Sequence, residues 1–173
     1  MSPESTFMRI HQAARKEFRE RGFHGASLRS IVKSLGMTTG AFYGYYKSKE
    51  DLFAALVEDH YRYLLDRFRQ AQEEFAHLPY ACQPEVLGDF SGACMFDMLH
   101  YAYDHLEDCQ LLLCCAEGTR FAGLVDEMVQ IETDATHNYF QVLEELGRPV
   151  PDIDLRLEHI LITGMFRTFF ELI

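Results

Sequence analysis

The chain has 173 residues, 48% hydrophobic and 25% charged, a composition that suits a folded globular protein and excludes a disordered polymer. Its formal net charge of −11 excludes a uniformly basic, nucleic-acid-coating protein. That average hides a division, because residues 1–49 hold nine Lys/Arg against three Asp/Glu, a balance of +6, and the remainder balances at −17.

Five cysteines are too sparse for a disulfide scaffold and point to a reducing cytoplasm. The opening MSPESTFMRI has neither the basic nor the apolar stretch of a secretory leader. The longest apolar run, LLLCCA, is far short of the roughly 20 residues of a membrane span, so no membrane partner is expected.

Apolar spacing predicts helices nearly throughout and no strand, since no short run alternates with period two. A first helix is expected over 4–21, with Phe7, Ile10, Ala14 and Phe18 on one stripe and a stop at Gly22. Ser27 is expected to cap a second, short helix that turns Leu28, Ile31, Val32 and Leu35 inward and stops at Gly36. Thr38 is expected to cap a third, with Gly44 inside it, where a glycine costs about 1 kcal/mol relative to alanine. Ser48 and Asp51 open a long fourth helix reaching about residue 77, with Leu52, Leu56, Leu64, Phe68 and Phe75 buried. Two prolines in HLPYACQPE interrupt the pattern. A fifth helix follows over 85–105, a short buried sixth in DCQLLLCCAEG, a seventh over 119–146, and a last from near Asp152, after GRPVPD.

Three short helices within about 45 residues, the second and third joined by a tight glycine turn, describe a helix-turn-helix unit. In such a unit the third helix enters the major groove and its first residues meet base edges. Here those residues are Thr38, Thr39, Gly40 and Ala41, small enough to bring backbone close to a duplex. Phe42 and Tyr46, four apart, should face inward, leaving the phenols of Tyr43 and Tyr45 for phosphate oxygens. Lys49 adds its charge to the positive end of the fourth helix, an anion site.

The stretch FRERGFHGASLRSIVKSLGMTTGAFYGYYKSKEDLFAAL resembles the DNA-binding domain of the tetracycline-repressor (TetR) family of bacterial transcription regulators. Its landmarks are Phe18, Gly22, Phe23, Ser27, Ile31, Gly36, Gly40, Tyr43, Tyr46, Lys47, Lys49 and Leu52, over about residues 7–56. The resemblance implies an all-α chain with a helix-turn-helix domain over 1–48 and a helical ligand-binding and dimerisation domain over 49–173. It implies backbone contacts to DNA from Ser27, Thr38, Tyr43, Tyr45 and Lys49, and base reading by Arg29, Thr39, Gly40 and Ala41. It also implies a homodimer on a double-stranded operator, released by a small molecule, and neither enzymatic activity nor a cofactor. Such regulators usually end in two interface helices, and only one is evident here, at 152–173.

The acidic part offers Phe90, Cys94, Met98, Tyr101 and Phe121 as an adaptable apolar lining for that ligand. Two alternatives keep the same fold. One is an adaptor whose acidic domain binds a protein. The other is a thiol or soft-metal sensor built from Cys94, Cys109, Cys114 and Cys115 with His100 and His105. No nucleophile elbow, zinc-protease or phosphate-loop pattern is present, and His100, Asp104 and His105 diverge around a helix.

Overall fold

A computed structural model of the chain describes residues 3–173, with side chains from Ser5 onward. Every regular element among the described residues is a helix, as expected. They are α1 (Pro3–Gly25), α2 (Leu28–Ser34), α3 (Thr39–Phe42), α4 (Lys49–Ala76), α5 (Gln83–Asp104), α6 (Leu106–Cys115), α7 (Leu124–Glu145) and α8 (Leu155–Phe170). None is long and apolar enough to cross a membrane.

The chain forms two compact units, and they do not follow a division at 48/49. The first comprises Met1–Arg62 together with His105–Ala122; the second comprises Tyr63–Asp104 together with Gly123–Ile173. The chain therefore leaves the first unit midway along α4, returns at α6, and leaves again before α7.

In the first unit the stripe read from sequence is the core: Ile10, Ala14, Phe18, Ile31, Phe42 and Leu52 are buried. Phe53 joins them, set edge-on to Phe18 with ring centroids 4.9 Å apart. Gly22 interrupts α1 where the stop was expected: it takes φ 64, ψ 173, which is not helical, and a separate helical turn follows to Gly25. Only glycine adopts that conformation cheaply.

The expected helix over 119–146 begins later, at Leu124. Gly118 has φ 83, and Thr119 closes the turn through its hydroxyl, which donates to Ala116 O and accepts from Phe121 N. A side chain at 118 would overlap the His24 ring, so backbone conformation and close packing both require glycine there.

The second unit buries Leu64, Phe68, Met98, Met128 and Phe166. Its α8 begins at Asp154, whose carboxylate accepts from the backbone N–H groups of Arg156 and Leu157. Phe166 and Phe170 point into the unit, whereas Leu155, Ile160 and Leu161 lie 69%, 62% and 55% exposed. These side chains give α8 an outward apolar face.

Candidate nucleic-acid interface and ligand cavity

The α2–α3 corner is built from inside out. Phe42 is fully buried, and Tyr46 is buried with its hydroxyl 2.5 Å from His11 Nε2. Burial raises the Tyr46 phenol and lowers His11, so the pair stays neutral. With these two rings fixed inward, Tyr43 and Tyr45 project outward, 53% and 39% exposed. Thr38 caps α3 as expected, its hydroxyl accepting from Ala41 N at 3.1 Å. Thr39, Gly40 and Ala41 are exposed, and nothing lies near the open side of Gly40. Arg29 is exposed one residue into α2. Arg29, the small and polar residues from Thr38 to Ala41, and the phenols of Tyr43 and Tyr45 are thus all exposed at this corner.

Gly44 falls outside α3, in the turn after Phe42, where its N–H donates to Ala41 O. The helix-interior cost expected for it therefore does not arise. An added Cβ would meet that same carbonyl at 3.3 Å, which makes glycine the easy fit.

Ser27 stands at the start of α2, but its hydroxyl makes no capping bond. The cap comes from a distant residue. Glu17, on α1 and 8% exposed, accepts from Ser27 N at 3.1 Å and from Ser30 Oγ at 2.9 Å. A carboxylate at a helix start satisfies otherwise orphaned N–H groups more strongly than a hydroxyl does. The Ser27 hydroxyl is left exposed on the outer face.

Lys49 is the larger departure. Its ammonium donates to the carbonyls of Phe23 (2.7 Å), Ala26 (3.1 Å) and His24 (3.4 Å) and lies 4.4 Å from the centre of the Phe23 ring. An ammonium has three donors, and all three are taken up by the carbonyl end of α1. Lys49 thus clips α1 to α4 and has no donor left to hold a phosphate. Ser48 caps α4 as expected, accepting from Asp51 N at 3.0 Å.

Behind this surface, α6 is held to α1. Arg15 grips Asp108 with two bonds of 2.6 Å, and His60 Nε2 lies 3.7 Å from the same carboxylate. Burial pushes the Asp108 carboxyl up, but the hydrogen bonds from Arg15 and His60 outweigh it and hold the group down at about 2.

The residues expected to line a ligand site do not come together. Phe121 belongs to the first unit, buried against Phe53 and edge-on to Tyr61 at 5.4 Å. The late start of α7 is what moves it there. Met98 is fully buried core, and Tyr101 stacks on Tyr63 at 3.6 Å. Phe90 and Cys94 do line a cavity of about 90 Å³ in the second unit, with walls from α4, α5, α7 and α8. Phe68, Phe75 and Met165 face the same space, as does one carboxylate, Glu132. Burial raises the Glu132 carboxyl, partly offset by a 2.7 Å hydrogen bond from Gln72 Nε2. Gln72 and Phe75 also line an open groove of about 460 Å³ whose rim carries Glu73, Asp134 and Glu145. Phe68, Gln72, Phe75, Met165 and Glu132 were not expected in this lining; the carboxylate was the hardest to foresee, because a Glu at a half-buried helix position looks like any solvated one.

Burial raises the thiols of Cys94 and Cys115 and pushes Cys109 up to about 12, which leaves them protonated and unreactive. Among the described residues no three His, Cys, Asp or Glu side chains gather as metal ligands.

Residues 10–56 match the model of the family described as bacterial regulatory proteins, tetR family. An uncharacterized HTH-type transcriptional regulator, YdgC of Bacillus subtilis, is 49% identical over 51 residues, which are 30% of this chain and 26% of the relative. The HTH-type transcriptional regulator UidR of Escherichia coli is 38% identical over 83 residues, 48% of this chain and 42% of the relative. The alignments thus span less than half of these relatives. Among solved structures, a TetR-family member from Streptomyces coelicolor, SCO3833, superposes with TM-score 0.59 at 21% identity, over 94% of this chain and 76% of that one. That likeness concerns the fold.

Proposed function

We propose, from the match of residues 10–56 to the tetR family of bacterial regulatory proteins, that the chain is a transcriptional repressor binding operator DNA as a homodimer. The reading rests chiefly on one observation: the exposed row from Thr38 to Ala41, with Tyr43 and Tyr45 beside it, is held outward by the buried Phe42 and Tyr46. Its N-terminal segment is the basic part of an acidic chain. Thr39, Gly40, Ala41 and Arg29 read base edges, and Ser27, Thr38, Tyr43 and Tyr45 position the backbone. Lys49 serves the interface indirectly, by fixing the ends of α1 and α4.

Gel shifts against salt concentration test this assignment. Tyr43→Phe removes one phosphate hydrogen bond worth ~0.5–1.5 kcal/mol, so affinity falls about twofold to tenfold on every sequence. Arg29→Ala is expected to change which sequences win a randomised-site selection. A full-length chain that binds no duplex at low salt would sink the proposal.

The outward face of α8 is the proposed dimer surface, with a second copy of the chain as its occupant, and sedimentation equilibrium of the full chain tests it. A small molecule in the second unit would relieve repression by preferring a conformer whose heads mismatch the operator spacing. The cavity beside Phe90 and Cys94 supports that reading over the adaptor alternative. A thermal-shift screen distinguishes them, since an adaptor responds to no small molecule.

A further inference from the structure

We propose that the cavity of the second unit takes the head of an organic cation, a small amine or alkylammonium group, with Glu132 as counter-ion and Phe68, Phe75 and Phe90 as the walls that face it. The proposal rests on the reading of this unit as a small-molecule sensor and names the ligand class that it senses.

Four observations converge. First, the cavity contains one carboxylate and no lysine or arginine. Among the described residues the only hydrogen bond to Glu132 comes from a neutral amide, Gln72. A half-buried carboxylate with a single neutral donor lacks most of the stabilisation water would give it, and a cation restores it. Second, the other walls include three phenylalanine rings and the sulfurs of Cys94, Met95 and Met165, and the negative face of a ring attracts an ammonium. An anion would meet Glu132 unfavourably, and a neutral apolar guest would leave it unpaired. Third, the space is about 90 Å³, well short of the ~300 Å³ at which drug-sized sites begin, so it suits a head group and no more.

Fourth, Gln72 and Phe75 border both this cavity and the larger groove. The groove's rim carries Glu73, Asp134 and Glu145, a field that draws cations toward the entrance. A ligand with an ammonium head and a longer body would use both compartments. Burial raises the Glu132 carboxyl, and a cation seated beside it favours the ionised form, the proton leaving to solvent, so that an ion pair stands in a dry setting.

Choline and 3,3-dimethylbutan-1-ol test the idea, being the same shape with and without the charge. Isothermal titration of the full-length protein is expected to show choline binding at least about tenfold more tightly than the neutral alcohol. Glu132→Gln, checked for unchanged helix content, should abolish that preference and leave the alcohol's affinity unchanged. Phe90→Leu keeps the carboxylate but removes a ring face; it should weaken choline about threefold and spare the alcohol, which covers the case in which E132Q fails to fold. Equal affinity for the two probes, a preference that survives in E132Q, or no binding of either into the millimolar range would overturn the proposal. A neutral or anionic compound that shifts the melting temperature while E132Q leaves that shift intact defeats the cation but keeps the sensor. If no compound shifts it at all, the sensor reading falls as well.

Discussion

In the first compact unit buried and half-buried charged side chains end on fixed partners; in the second a half-buried carboxylate, Glu132, faces a cavity. Glu17 caps α2, Lys49 caps α1, and the Arg15–Asp108 pair fastens α6, so each of these four charges ends on a fixed partner. Glu132 has one neutral donor and open space beside it. The contrast teaches where rigidity and adaptability reside. A surface that must match a duplex is pre-set by internal clips, and a site that must respond to a guest retains an incompletely satisfied group.

The sharpest way to break this comparison is Phe121→Ala. The residue is 4% exposed within the first unit, so the substitution is expected to cost about 3–5 kcal/mol in denaturant unfolding and to leave small-molecule binding intact once folded. Loss of ligand binding at unchanged stability would return Phe121 to the ligand site. Lys49→Ala strands three carbonyls at the end of α1 and should cost about 2–3 kcal/mol. DNA affinity then falls with the folded fraction, and the slope of affinity against salt is expected to stay the same, because no phosphate contact is lost. A slope shallower by about one would identify a direct phosphate contact.

Asp108→Asn has a smaller effect, about 2 kcal/mol at neutral pH, because the pair is only part-buried. Its pH dependence has a definite sign. The carboxyl is depressed from 3.8 to about 2, so its stabilisation is complete above the ordinary value and is lost as pH falls toward 2. Unfolding midpoints measured between neutral and strongly acidic pH should converge for wild type and D108N at the acid end. Midpoints that stay parallel would remove Asp108 from the acid response.

The order of helices was legible because apolar spacing and end signals agreed at most positions. Thr38 and Ser48 cap where their spacing indicated, and Phe42 and Tyr46 turned inward because they lie four apart. Ser27 misled for a physical reason. A hydroxyl at a helix start is a local signal, and Glu17, ten positions away, offers a stronger acceptor that only tertiary structure delivers. Lys49 shows the same limit: a lysine at a helix start looks free until the carbonyl end of another helix is seen to lie against it. Phe121 kept helical spacing with Leu124 and Met128, but the left-handed Gly118 and the Thr119 turn broke the register before it. Of the ligand lining, Phe90 and Cys94 were readable as apolar residues on one helix. Glu132 was not, because burial of a charge depends on all four walls.

The assignment of residues 105–122 to the amino-terminal unit bears on how the protein is made. Nascent chain leaving the ribosome carries Phe53 and Arg15 into water long before their partners Phe121 and Asp108 are available. The head therefore closes only after the intervening hairpin of α4 and α5 has been synthesised, and a fragment cut at residue 62 would lack Phe121 and the Asp108 anchor. Truncation to the matched family segment would yield a weakened, aggregation-prone piece, so functional dissection of this chain calls for point substitutions in the intact polypeptide.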